Sequence, residues 1–106
     1  MGGGGSRSSY SRRITVNTDD NCDKIHFITD LQNIQPSITN YNVDDILEVK
    51  LDVVDRVYVE GNSGICGYIT AMSASQLIKC VKKGKQFIAT IINISDSACR
   101  VDVTPL

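Results

Sequence analysis

The side chains able to do chemistry in this 106-residue chain are few. They are one histidine (His26), four cysteines (Cys22, Cys66, Cys80 and Cys99), and a scatter of acids and bases. The cysteines stand 44, 14 and 19 residues apart with no C-x-x-C pair, and His26 has no second imidazole at ligand spacing. A zinc site is built from close pairs of such ligands, so neither a metal nor a cofactor is expected. A nucleophile–base–acid triad would have to rest on His26, and no serine stands in a G-x-S-x-G turn. The neighbouring acids Asp19-Asp20, Asp44-Asp45 and Asp52/Asp55 fall in turn-like stretches where carboxylates are solvated or cap the backbone. The chain is therefore not expected to be an enzyme. Cys66, Cys80 and Cys99 lie among apolar residues, where a reduced thiol acts as a small hydrophobe, and reduced structural cysteines are the expectation.

The basic and aromatic residues point to binding. Lys79, Lys82, Lys83 and Lys85 fall within seven positions, Arg100 lies on a later strand, and Arg56 stands close to Tyr58 with Tyr68 ten residues on. Lysines of this kind contact phosphates, and exposed tyrosines give bases a surface to stack on. The same lysines also complement a helix C-terminus and keep a surface soluble. Arg7, Tyr10, Arg12 and Arg13 add a candidate flexible arm. The net charge of −1 conceals a profile of +3 over residues 1 to 13, −7 over 14 to 60 and +3 over 61 to 106. Two partner classes follow: single-stranded DNA or RNA at the basic blocks, or a protein docked on the acids Asp44, Asp45, Glu48, Asp52 and Asp55 or on an uncovered strand edge.

The elements that must position these residues are mostly strands. Residues 1 to 12 (MGGGGSRSSYSR) are Gly/Ser/Arg-rich and read as a disordered tail, leaving 13 to 106 as a single domain. Alternation marks strands over 13–17 and 24–29, and Pro36 excludes a helix running through the polar stretch 30–42. Leu47, Val49 and Leu51 then share one face of ILEVKL, and RVYVE-GNSG-ICGYI forms a hairpin, with Gly67 marking a bulge or a close backbone approach. Ser73 and Gln76 fit a capping box opening a short helix near 74–83 that Gly84 caps, and 86–94 and 98–103 make a last hairpin. With no βαβ alternation, the expected fold is mainly β (α+β): a small OB-like β-barrel of about six strands with one helix. No apolar run reaches 18 residues and no secretory signal is visible, so the expected compartment is the cytoplasm, with no membrane contact.

The stretch 43–103 resembles the HIRAN family, small OB-like barrels that occur alone or fused to helicase-type proteins. Ile65-Cys66-Gly67-Tyr68-Ile69 is similar to the family's Gly-Tyr strand, Ala74 to Val81 to its helix, and Lys83-Gly84 with Phe87-Ile88-Ala89 to its entry into the final hairpin. Val43 to Val49 is similar to the strand that opens the motif. The resemblance implies a barrel that binds a single-stranded DNA end. The family's N-P-x-D-x-N-A loop is missing, because Lys50 to Val59 (KLDVVDRVYV) has neither Pro nor Asn. Arg56, Tyr58 and Tyr68 are the residues left near that place to form a nucleic-acid face.

Overall fold

A computed structural model describes residues 22–70 and 74–106. In chain order these form β1 (Phe27–Asp30), a 3-10 helix (Pro36–Asn40), β2 (Ile46–Leu51), β3 (Val57–Gly61), β4 (Gly64–Ile69), α1 (Ala74–Lys82), β5 (Phe87–Ile94) and β6 (Cys99–Pro105). The strand expected at 13–17, the arm residues Arg7, Tyr10, Arg12 and Arg13, and the capping Ser73 lie outside the described residues.

The six strands make one antiparallel sheet in the order β1-β6-β5-β2-β3-β4. It curls into a small barrel because the chain leaving β1 reaches across to the opposite edge. Leu31 N–H donates to Cys99 on β6 (2.8 Å), Gln32 and Tyr68 of β4 exchange two backbone bonds of 2.8 Å, and Gln35 N–H donates to Cys66 (2.9 Å). Three of these backbone bonds thus satisfy part of the β4 edge that an open sheet would leave exposed, and the fourth extends the β1–β6 pairing.

Alternation along the strands supplies the core. Leu47, Val57, Val59, Ala89, Ile91, Val101 and Val103 are 0–2% exposed, and Leu77 joins them from α1. Each of these Leu, Ile and Val side chains contributes about 1.5–3 kcal/mol on leaving water. Gly84, at φ +91°, ends α1: its N–H donates to Val81, and Lys85 N–H reaches back to Cys80, the paired bonds of a left-handed C-terminal cap. Gly67 combines both readings of its sequence context. The register slips between Val59 and Glu60, and a Cβ on Gly67 would stand 3.1 Å from the Gln32 carbonyl and from Leu31.

The structure corrects two expectations. The stretch 30–42 is more than a polar connection, because Leu31, Ile38 and Tyr41 are buried in it and Pro36 opens the 3-10 helix, where its missing N–H leaves no bond unmade. The cysteines are also not all reduced. Cys22 and Cys80, 58 residues apart, form a disulfide that ties the chain ahead of β1 to the inward face of α1, while Cys66 and Cys99 are free and buried. Apolar surroundings announce burial of a cysteine; they do not reveal that a second one arrives beside it.

Candidate functional site

The outer face of β3 and β4 carries the candidate site. Tyr58 and Tyr68 lie directly opposite each other in the register and both turn away from the core, since their neighbours Val57, Val59, Gly67 and Ile69 point inward. Their rings sit 6.1 Å apart and tilted by 54°, within the range of favourable edge-to-face pairs. Lys50 on β2 and Gln32 after β1 extend the row on either side through their pairing with Tyr58 and Tyr68.

Arg56 completes this platform. Its guanidinium stands 5.3 Å from the centre of the Tyr68 ring, and its Nε donates to Asp52 Oδ2 at 2.9 Å. The other Asp52 oxygen accepts the backbone N–H groups of Val54 (3.0 Å) and Arg56 (2.9 Å), so one carboxylate both shapes the β2–β3 turn and aims the guanidinium. Those bonds, the Arg56 amide first, hold the Asp52 carboxyl below the usual carboxylate range.

Two clefts flank the tyrosine pair. One, of about 290 Å³, is lined by Gln32, Asn33, Arg56 and Tyr68 with an apolar side formed by Val57, Ile69 and Ile78 of α1. The other, of about 520 Å³, includes Lys50, Tyr58, Val81, Lys85 and Leu106. The end of α1 is drawn to this region by Lys82, whose ammonium lies 2.6 Å from Asp55 Oδ2 beside Arg56.

The structure therefore brings together Arg56, Tyr58, Tyr68, Lys82 and Lys85, and adds Lys50, Gln32 and Asn33. Lys79 and Lys83 are exposed on α1 and in the turn after it, and line neither cleft. Arg100 does not join the group: it pairs with Asp30 across β1 and β6 at 2.9 Å, an interaction that raises the arginine and lowers the aspartate. Most of the cations at the site also have a carboxylate partner. Lys50 is 2.9 Å from Glu60 and 3.4 Å from Glu48, and those contacts raise its pKa.

The acids expected to form one docking face are divided. Asp45 and Glu48 line a cavity of about 410 Å³ at the far end of β2 together with Glu60, whereas Asp52 and Asp55 serve Arg56 and Lys82. His26 lies with its Nε2 2.7 Å from Asp102 Oδ1, and no triad forms around it among the described residues. Sequence reasoning placed Asp52 among the turn acids and on an acidic docking face but missed that it holds Arg56, although its position four residues ahead of Arg56 in a turn was a usable sign. It also passed over Tyr41, for which the sequence offers no sign.

No family model and no curated protein matches this sequence. Among solved structures, the fold is similar to a crystal structure of a protein from Lactobacillus plantarum, a structural-genomics target. The two share 9% identity at a TM-score of 0.59, over 72% of this chain and 87% of the other. That likeness supports the small α+β barrel and extends no further than the fold.

Proposed function

We propose that the chain is a non-enzymatic binding domain that takes single-stranded nucleic acid across the Tyr58–Tyr68 pair. The observation that carries this reading is the platform itself: two adjacent outward-facing tyrosines, one with a guanidinium over its ring, between one cleft edged by Arg56 and another edged by Lys50 and Lys85. Base stacking on such rings is worth about 1–3 kcal/mol per base and tolerates any sequence. The cations stand in exposed ion pairs, which are weak, so a phosphate can replace Asp52, Asp55 or Glu60 as the partner of Arg56, Lys82 or Lys50. Binding is accordingly modest and steeply salt-dependent. The HIRAN resemblance of 43–103 points the same way.

Fluorescence anisotropy with short labelled oligonucleotides tests it. Saturable binding near 50 mM salt that weakens about tenfold or more by 200 mM, and that Tyr68→Ala reduces about tenfold, is expected. No saturable binding at the lower salt overturns the reading.

One observation favours a protein partner instead. At the tip of the β2–β3 turn Val53 is fully exposed and Val54 is 64% exposed, next to the Arg56 cleft, and arginine and tyrosine beside exposed apolar residues are typical interface anchors. A partner docked there would leave oligonucleotide binding absent and would be displaced by Val53→Asp.

A further inference from the structure

The two clefts beside the tyrosine pair differ in the polar groups they offer. The larger has Lys50 and Lys85, compact point charges that suit a phosphate and read no base edge. The smaller, of about 290 Å³, joins an apolar lining of Val57, Ile69 and Ile78 to Arg56, Asp55 and Asn33. Each of those three is held in a way that leaves particular atoms unpaired. Arg56 gives its Nε to Asp52 at 2.9 Å and lies over the Tyr68 ring, so its two terminal Nη groups donate to nothing among the described residues. Asp55 uses Oδ2 for Lys82 at 2.6 Å, which leaves Oδ1 as an acceptor. Asn33 takes a left-handed backbone conformation (φ 51°), and its carboxamide has no hydrogen bond among the described residues. The segment that carries Asn33 is fixed on both sides, by Gln32 exchanging two bonds with Tyr68 and by Gln35 donating to Cys66.

Such a lining selects among ligands. Its apolar side and the neighbouring Tyr68 ring favour a planar, largely apolar ring system, and the polar groups choose which one. A guanidinium with two N–H groups to give is matched by a pair of neighbouring acceptors, and guanine presents that pair at O6 and N7, whereas adenine sets its N6 amino group against the cation. The next edge of guanine carries the N1–H and N2 amino donors, and acceptor oxygens are what Asp55 and Asn33 have left. Unstacked bases of single strands are read in this way, on their outer edges and beside aromatic or guanidinium planes.

Resting on the single-strand reading above, we propose that the smaller cleft is a base-reading pocket that takes one guanine of the bound strand. The Arg56 Nη groups donate to O6 and N7, and the Asp55 and Asn33 oxygens accept from N1–H and the N2 amino group. The tyrosine pair then supplies stacking that tolerates any sequence, the lysine cleft holds the backbone, and this cleft sets the sequence preference.

The test is fluorescence anisotropy of the full chain with labelled thymine oligonucleotides of equal length that carry one central dG, dA or dC, or none, at about 50 mM salt. A single guanine in a thymine strand avoids guanine quartets. The dG strand is expected to bind about tenfold more tightly than the other three. Arg56→Lys keeps the charge and loses the fork, and should bring that preference down to about twofold or less. Asp55→Asn suits the left-handed backbone at this position (φ 65°) and should lower the preference about threefold by removing one acceptor. The two side chains are 66% and 49% exposed, so both variants leave the core intact. Saturable binding with equal affinity for the dG and dA strands overturns the pocket and leaves the stacking platform standing. A dG preference that survives Arg56→Lys unchanged also overturns it. Absence of saturable binding by every strand removes the platform reading, and the pocket falls with it.

Discussion

The two ends of the β3–β4 hairpin are fastened by opposite means. At the turn end, where Gly61 pairs with Gly64 around Asn62 and Ser63, the fastening is one buried hydroxyl. Tyr41 Oη accepts the N–H groups of Gly61 (3.1 Å) and Ser63 (3.0 Å) and donates to the Gly64 carbonyl (2.6 Å), while its ring lies so close that a Cβ on Gly61 would stand 2.9 Å from it and 2.7 Å from Leu47. At the other end, where α1 covers the barrel, the fastening is covalent and apolar: the Cys22–Cys80 bond and Leu77. The polar groups there, Arg56 with Asp52 and Lys82 with Asp55, stay at the surface. A buried hydroxyl that makes three hydrogen bonds is a fixed part of the fold, because unmaking them strands groups away from water. Exposed ion pairs exchange easily with water or ligand. The contrast places the exchangeable cations at the end where the disulfide and Leu77 carry the framework, which is where a binding face belongs.

The contrast can be broken most severely at the helix end. Reducing Cys22–Cys80, or replacing both cysteines by alanine, should lower stability by about 4 kcal/mol from the entropy of a loop of this length, measured by urea unfolding. Next in size is the turn end. There Gly61→Ala should cost about 1–3 kcal/mol by overpacking against Leu47 and Tyr41, and Tyr41→Phe about 1–2 kcal/mol by leaving the turn amides without their acceptor. Equal, near-zero effects of these two substitutions would mean that the hydroxyl does not fasten the turn.

The smallest effect belongs to the surface pairs and sharpens the comparison through pH. Asp30 and Asp52 have folded values below the usual carboxylate range, so their stabilisation is complete above that range and disappears as the pH falls through the lowered folded values. The double variant Asp30→Asn, Asp52→Asn should therefore show a flatter acid limb of melting temperature against pH than the wild type. At neutral pH its melting temperature should change less than that of Tyr41→Phe.

Much of this architecture is legible where the chain obeys a short period. Alternation in ILEVKL and in RVYVE through ICGYI marks β2, β3 and β4 and sets which side chains face out, so Tyr58 and Tyr68 are readable as surface residues. Gly84 is readable as a helix cap from its place after Lys82 and Lys83. The irregular stretch 31–41 is not readable, because Leu31, Ile38 and Tyr41 are buried at intervals of seven and three that match no strand. The clustering of Arg56 with Lys82, and the separation of Arg100 from both, depend on a helix crossing a strand end and on an antiparallel partner 70 residues away. Local spacing carries no information about either.

The pairing of β1 with β6 has a kinetic consequence. Phe27 opposite Val103 and Asp30 opposite Arg100 join segments separated by nearly the whole described chain, whereas β2–β3, β3–β4 and β5–β6 are all local hairpins. The local hairpins form early, and the barrel can close only after β6 has left the ribosome and found β1. Until then, Ile28 and the apolar stretch of β5 face solvent on a sheet with open edges. Folding should show one slow concerted step, and substitutions that weaken β1–β6 pairing should slow that step more than substitutions of equal cost in the β3–β4 turn.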